Sequence, residues 1–228
     1  MKKILLFIIF SLLGLTNTQA IDVEPYSFNN ENLLLPIPNG FCNATEELTG
    51  IFILEYLNMQ FSNQPDSIDS VKPVIVFTRC GFENNFDELY PWGYIGLQDN
   101  LKPVISQNTL NQSLELILGS PEMMQEIQEL VNNTTSTTMN EFGLEFEDFD
   151  FNKSLLGWID ENVAIVTTTA QFELEGELLN EIVFQASSVV NNSIVNYYIN
   201  DELIQSKNPL ENSKLLIDNS KFLVEINR

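Results

Sequence analysis

One short stretch of this sequence combines acidic and aromatic side chains in a way that suits sugar recognition. Asp87 and Glu88 are followed at alternate positions by Tyr90, Trp92 and Tyr94. Flat aromatic rings stack on sugar rings, and paired carboxylates hydrolyse glycosidic bonds. The stretch therefore predicts a ligand-contacting surface at these residues, with glycan hydrolysis as an alternative. The simpler interpretation, a loop whose aromatic rings pack inward, is the more common outcome for such residue types.

A second stretch carries oxygen-bearing side chains at the spacing of a calcium loop. Asp148, Asp150, Asn152 and Ser154 stand at the alternating positions that open such a loop. The pattern then fails, because a lysine replaces the turn glycine and an isoleucine replaces the bidentate glutamate. An acidic strand edge or loop is therefore favoured, and calcium binding by Asp148, Asp150 and Asn152 is the weaker alternative.

Arg79 is the only arginine between the two ends of the chain, and it directly precedes Cys80. Its planar guanidinium suits a carboxylate ligand, so Arg79 is a candidate binding residue. It equally suits a structural pair with one of the many acidic side chains. The structural pair is favoured because acids are in large excess.

Histidine is absent from the chain. This excludes Ser–His–Asp and Cys–His nucleophilic mechanisms and any zinc site that uses histidine. An enzyme with this sequence would depend on carboxylates, lysine or tyrosine. We therefore assign no catalytic residue and predict no cofactor other than the weakly supported calcium.

The N-terminal residues have the pattern of a secretory signal peptide. Lys2 and Lys3 precede the apolar run 4–15, and Thr18-Gln19-Ala20 supplies the small residues that signal peptidase requires. We expect cleavage after Ala20, which leaves one domain over 21–228. The mature protein is expected to be soluble, without stable membrane insertion, and exported to a periplasm or the extracellular space.

The chain has two cysteines, Cys42 and Cys80. In an exported protein a single pair of cysteines is most simply a disulfide, and the wide spacing lacks the close Cys-x-x-Cys arrangement of redox motifs. The sequence therefore predicts a structural Cys42–Cys80 bond.

The formal net charge is −22. Such a charge repels phosphate backbones, which excludes nucleic acid as a partner, and it disfavours anionic membrane surfaces. Long-range attraction would instead favour a cationic ligand, a basic protein or a divalent metal ion. Solubility alone is the simpler explanation of the charge.

Helical periodicity covers much of the first half of the chain and its C-terminus. It predicts helices over 45–61, 109–118 and 121–131, and a C-terminal helix over 210–226. The segment 132–139 is rich in threonine and asparagine, so we expect it to be an exposed turn.

The strand signals lie mainly in the second half. Val74–Phe77 is a continuous apolar run, which is typical of a strand buried on both faces. Four further candidates follow in succession, at 155–159, 163–174, 182–190 and 194–199. Helices first and then a meander of strands predict an α+β fold, an antiparallel sheet with helices packed on one face.

The segment Pro38-x-Gly40-Phe41-Cys42, followed by a helix and an apolar strand that ends in Cys80, resembles a group of uncharacterised exported bacterial proteins. In that group a late meander and a C-terminal helix recur. The resemblance implies a periplasmic location and a disulfide, and it brings no catalytic residue with it.

We therefore expect a non-enzymatic module that binds a protein partner or a small ligand. A carboxylate-dependent glycan hydrolase is the alternative, and a calcium-binding protein is the weaker one. Two carboxyl groups about 5–10 Å apart in a deep cleft would favour the hydrolase.

Overall fold

The computed structural model describes residues 21–63, 71–84, 90–99, 105–143, 150–174, 177–202 and 209–228. The strands are β1 (Val23–Phe28), β2 (Glu31–Pro36), β3 (Phe41–Asn43), β4 (Lys72–Arg79), β5 (Trp92–Asp99), β6 (Asp150–Ile159), β7 (Ala164–Leu174), β8 (Glu177–Val190) and β9 (Ser193–Glu202). The helices are α1 (Leu48–Ser62), α2 (Gln107–Leu118), α3 (Pro121–Glu141) and α4 (Pro209–Ile226).

Seven strands form one antiparallel sheet in the order β3-β4-β5-β9-β8-β7-β6, and β1 pairs with β2 in a separate hairpin. Strands β6 to β9 are consecutive neighbours, which is the meander that the sequence predicts. Strand β5 then joins the meander to β4 by pairing with β9. The α+β class and the antiparallel sheet are confirmed.

One face of the sheet packs against α4 and the β1–β2 hairpin. Phe77, Phe184 and Tyr197 point to this side, where they are buried together with Leu216 and Leu223 of α4. We call this side the α4 face. It holds the larger of the two apolar clusters found in the described residues.

Hydrogen bonds fix α4 to the hairpin along its length. The carbonyl oxygen of Pro36 accepts from the Tyr197 hydroxyl at 3.1 Å and from Asn219 Nδ2 at 3.0 Å. Further along, Asn227 Nδ2 donates to the Leu34 carbonyl at 2.8 Å, and its Oδ1 accepts from the Leu34 amide at 2.9 Å. Since these groups are paired, the α4 face is closed by apolar packing and hydrogen bonds together.

The opposite face carries α1, α2 and α3, and we call it the roofed face. Ile53 and Leu57 of α1 pack there against Val76 and Tyr94. The sequence predicts helices packed on one face of the sheet; α1, α2 and α3 share the roofed face, and α4 covers the other face. The reason is that β4, β5, β8 and β9 alternate apolar residues on both sides, so each face requires its own cover.

The threonine-rich segment 132–139 was expected to be an exposed turn, and this expectation is wrong. It continues α3, and Thr134, Thr135 and Thr138 are buried. The hydroxyls of Thr134 and Thr138 donate to the carbonyls four residues earlier, at 2.7 and 2.9 Å. Because backbone carbonyls of the helix accept these hydroxyl protons, the two threonines can be buried within α3.

The predicted disulfide is confirmed, and it joins Cys42 in β3 to Cys80 just after β4. The loop that it closes spans 38 residues and contains α1. In the described part of the chain, no helix is long and apolar enough to cross a membrane.

The close packing of the sheet can be tested at Gly93 in β5. A Cβ at this position would overlap the Tyr198 carbonyl oxygen and the Phe77 ring. We expect Gly93→Ala to lower the free energy of unfolding by about 2 kcal/mol or more, measured by chemical denaturation. In the control Gly157→Ala, the new methyl would lie 3.8 Å from its nearest neighbours, so we expect a change within about 0.5 kcal/mol. Equal effects of the two substitutions would contradict the packing described here.

Candidate functional site

A cavity of about 680 Å³ lies between the roofed face of the sheet and helices α1, α2 and α3. Aliphatic, methionine and aromatic side chains make up most of its lining. Its volume falls in the range of small-molecule sites, roughly 300–1,000 Å³. This is the candidate functional site of the protein.

The floor of the cavity consists of two neighbouring rows of side chains from the central strands. Paired residues of an antiparallel sheet share a face, so each row crosses several strands. The first row contains Trp92, Asn200, Val183 and Thr168, and the second contains Tyr94, Tyr198, Gln185 and Val166.

Helix α3 forms the roof. The residues that it directs into the cavity recur every three or four positions, which places them on one side of a helix. They are Met124, Ile127, Val131, Thr135 and Met139. The apolar stripe of α3 therefore faces the cavity, across from the floor residues of the sheet.

Polar contacts with α1 hold the C-terminal part of the roof. Gln60 Nε2 donates to the Thr135 hydroxyl at 3.3 Å, and Asn63 Nδ2 contacts Thr138 Oγ1 at 3.2 Å and a Glu141 carboxylate oxygen at 3.3 Å. These bonds set the position of α3 beside α1 and do not depend on contact with the sheet.

Helix α2 is attached to the sheet by amide side chains. Gln107 Nε2 donates to the Ser187 carbonyl at 3.1 Å, and Gln107 Oε1 accepts from the Val189 amide at 2.6 Å. One turn later, Asn111 Nδ2 donates to the Asp160 carbonyl at 2.9 Å. The roof is thus supported at its edges, and the space below its centre remains as the cavity.

Aromatic rings form one wall of the cavity. The rings of Tyr94 and Tyr198 stack with their centroids 4.4 Å apart, and Trp92 lies nearly parallel to Tyr94 at 6.4 Å. Across from them, Phe142 contacts the ring of Tyr56 at 6.2 Å. Burial raises the pKa of both Tyr94 and Tyr198, so these hydroxyls stay protonated and can donate hydrogen bonds.

Glu181 places a carboxyl group in this apolar cavity. The Tyr90 hydroxyl donates a hydrogen bond to its Oε1. Removal from water raises the pKa of the Glu181 carboxyl to about 7. Burial also raises the pKa of Tyr56, and the negative charge of Glu181 adds to that effect. Among the described lining residues, Glu181 is the single acid, and none is a lysine or arginine.

Asn200 is a second polar residue of the lining, and it is only 8% exposed. Within the described part of the chain, its Nδ2 has no hydrogen-bond partner. Register places Asn200 opposite Val183, so it lies diagonally across from Glu181 on the same face of the sheet. The site therefore combines a carboxyl group and an unpaired amide donor.

The polar residue of the second row, Gln185, and its polar neighbours differ from Glu181 and Asn200 because they bond to one another. Ser187 Oγ donates to Asn196 Oδ1 at 2.7 Å, and Gln185 Nε2 contacts the Ser187 hydroxyl at 3.2 Å. These residues satisfy their own hydrogen-bonding groups and support the floor.

The sequence pointed to the aromatic part of this site and missed its centre. Tyr90, Trp92 and Tyr94 line the cavity, whereas Asp87 and Glu88 lie outside the described residues. Glu181 and Asn200 were not predicted. The available signal was the alternation within β8 and β9, which puts an acid and an amide on the same face as the aromatic rings.

Arg79 is exposed at the end of β4, away from the cavity. Its guanidinium carbon lies 5.8 Å from the centre of the Phe82 ring. In the described ranges, no carboxylate lies within ion-pair distance of Arg79. Both the ligand-binding and the structural-pair interpretations of Arg79 stay predictions.

The calcium hypothesis receives no direct test. Asp148 lies outside the described residues, while Asp150 and Asn152 belong to the backbone of β6. An extended strand differs from the compact turn that begins a calcium loop. Calcium binding at Asp148, Asp150 and Asn152 stays a prediction.

No family model and no curated protein matches the chain. It is similar to the solution structure of cyanobacterial PsbP (CyanoP) from Synechocystis sp. PCC 6803, with a TM-score of 0.38, 7% identity and coverage of 91% of this chain and 94% of that one. It is also similar to the Ran-binding protein Mog1p from Saccharomyces cerevisiae, with a TM-score of 0.31, 10% identity and coverage of 91% and 93%. Likeness at this level carries no argument about function.

The raised pKa of Glu181 predicts a specific pH dependence of stability. Its pKa is about 7 in the folded protein and 4.5 for a glutamate in water, so between these pH values the folded state holds the proton more tightly. The contribution of this group to stability therefore falls as pH rises from about 4.5 to 7, by up to about 3 kcal/mol.

The substitution Glu181→Gln removes this titration and still accepts a hydrogen bond from Tyr90. We expect the variant to be more stable than the wild type at pH 8, with the difference shrinking toward pH 4.5, as measured by denaturation at each pH. Glu225→Gln, at an exposed site on α4, is the control and should show no such trend. A stability difference for Glu181→Gln that does not vary with pH would contradict the assignment.

Proposed function

We propose that this protein is a non-enzymatic binding module whose cavity takes a small, largely apolar molecule. The observation that carries the proposal is the cavity of about 680 Å³ between the sheet and α1, α2 and α3. A site of this size, with apolar walls and a few polar groups, has the usual composition of a small-molecule site.

The position of α3 supports this proposal. Its apolar stripe faces the cavity, and the hydrogen bonds from Gln60 and Asn63 hold it in place from the side. Apolar surface that borders a cavity lacks the packing contacts of a filled core, which costs stability. A ligand that fills the cavity would supply those contacts and stabilise the folded state.

The lining bears on the hydrolase alternative as well. Glycoside hydrolysis uses two carboxyl groups that flank the scissile bond. Glu181 supplies one in the described lining; Glu202 pairs with it in the register but does not line the cavity, and Asp87 and Glu88 belong to the undescribed part of the chain. The aromatic and aliphatic walls suit an apolar ligand, so we favour a binding function over glycoside hydrolysis.

We also propose that the protein works in an oxidising compartment after export. The Cys42–Cys80 bond supports this location, because disulfides persist outside the reducing cytosol. The N-terminal pattern described above is the second support. The periplasm and the extracellular space both satisfy this chemistry.

The binding proposal can be tested with Nile red, a neutral apolar dye that fluoresces in apolar surroundings. We expect the wild-type protein to bind the dye and to melt at a higher temperature when it is bound. Val183→Phe replaces a small aliphatic side chain at the floor of the cavity with a bulky aromatic ring. This should weaken dye binding about tenfold or more.

Leu178→Phe is the matched control on the same strand, because Leu178 is 60% exposed and does not line the cavity. It should bind the dye as the wild type does. Absence of wild-type binding, or equal binding by the Val183→Phe variant, would reject the cavity as the site.

A further inference from the structure

The polar groups of the cavity identify the chemistry of its ligand, provided that the cavity is the binding site proposed above. Two of them stand out because their hydrogen-bonding or charge requirements are incomplete. Glu181 and Asn200 lie diagonally across neighbouring strands β8 and β9, and both line the cavity. Diagonal neighbours on one face are close enough to contact the same small head group.

Among the described residues, the Glu181 carboxylate has a hydrogen-bond donor and no ion-pair partner. The Tyr90 hydroxyl donates to it, and Tyr56 of α1 lies close enough for the Glu181 charge to oppose its ionisation. Its partner in the register on β9 is Glu202, a second acid rather than a cation. The described lining contributes no lysine or arginine. A desolvated carboxylate is costly unless a cation compensates it, so the missing charge is one that a ligand can bring.

The walls around Glu181 also suit a cation. Trp92, Tyr94 and Tyr198 present a stack of electron-rich rings on the same face of the sheet, and Tyr56 and Tyr90 lie in the same lining. Ammonium groups are attracted to the faces of such rings, and the attraction grows when water is excluded. The net charge of −22 would draw cations toward the protein from a distance.

Asn200 adds a requirement of a different kind. Its Nδ2 is buried and unpartnered, and a buried donor without an acceptor costs roughly 1–3 kcal/mol. An amine cannot accept this hydrogen bond once it is protonated. The donor therefore calls for an oxygen atom on the ligand, close to the amine.

We propose that the cavity binds an apolar amine. Its protonated nitrogen donates to the Glu181 carboxylate among the tyrosine rings, a hydroxyl or carbonyl oxygen beside it accepts from Asn200 Nδ2, and its hydrocarbon body lies beneath α3.

Other amphiphiles fit less well. A fatty-acid anion would place its negative charge beside the Glu181 carboxylate. Neighbouring like charges repel strongly in an apolar site. A neutral alcohol would satisfy Asn200 and would leave the carboxylate without a cation. The charge of the head group is therefore the property that the site selects.

The first experiment compares three ligands of equal chain length, decylamine, 1-decanol and decanoate, by calorimetric titration at pH 8 and physiological salt. We expect decylamine to bind the wild type at least tenfold more tightly than the other two. Glu181→Gln should remove this preference, with decylamine binding at least tenfold weaker and decanol binding within about twofold of the wild type. Glu225→Gln, which removes one exposed surface charge, should leave all three affinities unchanged.

The outcomes separate the two proposals. If none of the three compounds binds, the cavity is not an apolar site and the proposed function fails. If decanol or decanoate binds as tightly as decylamine, or if Glu181→Gln keeps the preference, the cavity is an apolar site and the amine assignment is overturned.

The second experiment tests the role of Asn200 with 2-(decylamino)ethanol, which carries a hydroxyl close to its amine. We expect it to bind the wild type about fivefold or more tightly than decylamine, since it pairs the buried amide donor. Asn200→Leu should abolish this gain while it retains decylamine binding, which also shows that the variant is folded. A gain that persists in Asn200→Leu would overturn the assignment of Asn200.

Discussion

The architecture follows from a sheet whose central strands are apolar on both sides. β4, β5, β8 and β9 alternate side chains toward two interiors, so neither face can be left to water. On the α4 face, Leu216 and Leu223 pack directly on the strands. On the roofed face, α1 packs on β4 and β5 through Ile53 and Leu57, and the remaining floor is covered by a helix that stands above it. Both faces are thus shielded from water, but α4 packs directly on the strands, whereas α3 leaves a cavity above them.

That difference comes from where the polar bonds are placed. Gln107 attaches α2 at the edge of β8, and Gln60 and Asn63 attach α3 to α1. These bonds hold α2 and α3 at their edges. Helix α3 therefore keeps its place without packing directly on the floor of the sheet. Helices of this kind can shift more readily than those packed in a filled core, because fewer apolar contacts hold them in one position. Under the binding proposal, a roof with this support would adjust to the ligand beneath it.

The sequence predicts the frame of this protein better than its site. The run Val74–Phe77 and the late meander are strong local signals, and the two cysteines admit a single pairing once export is assumed. Segment 132–139 was misjudged because threonine has low helix propensity, and its hydroxyls are satisfied within α3 by backbone carbonyls. The placement of α4 on its own face was not readable from the sequence, because a C-terminal helix carries no local mark of the face that it will cover.

The site escaped prediction for a further physical reason. In the sequence, Glu181 is one of 32 acidic residues, and nothing local distinguishes it from an acid on a solvated strand. Only the registers of β8 with β9 and of β9 with β5 bring it, Asn200 and Trp92 to one face, and only the helices deprive that face of water.

Polar groups in and beside the cavity differ in whether the protein itself satisfies them. Ser187, Asn196 and Gln185 bond to one another and can be understood as parts of the frame. Glu181 and Asn200 keep an uncompensated charge and an unpaired donor, and in a folded protein such groups reduce stability. An apolar pair at these positions would make a more stable sheet. Under the amine proposal, a ligand supplies the missing cation and the missing hydrogen-bond acceptor. The stability that these two groups cost the folded protein then contributes to selectivity in binding.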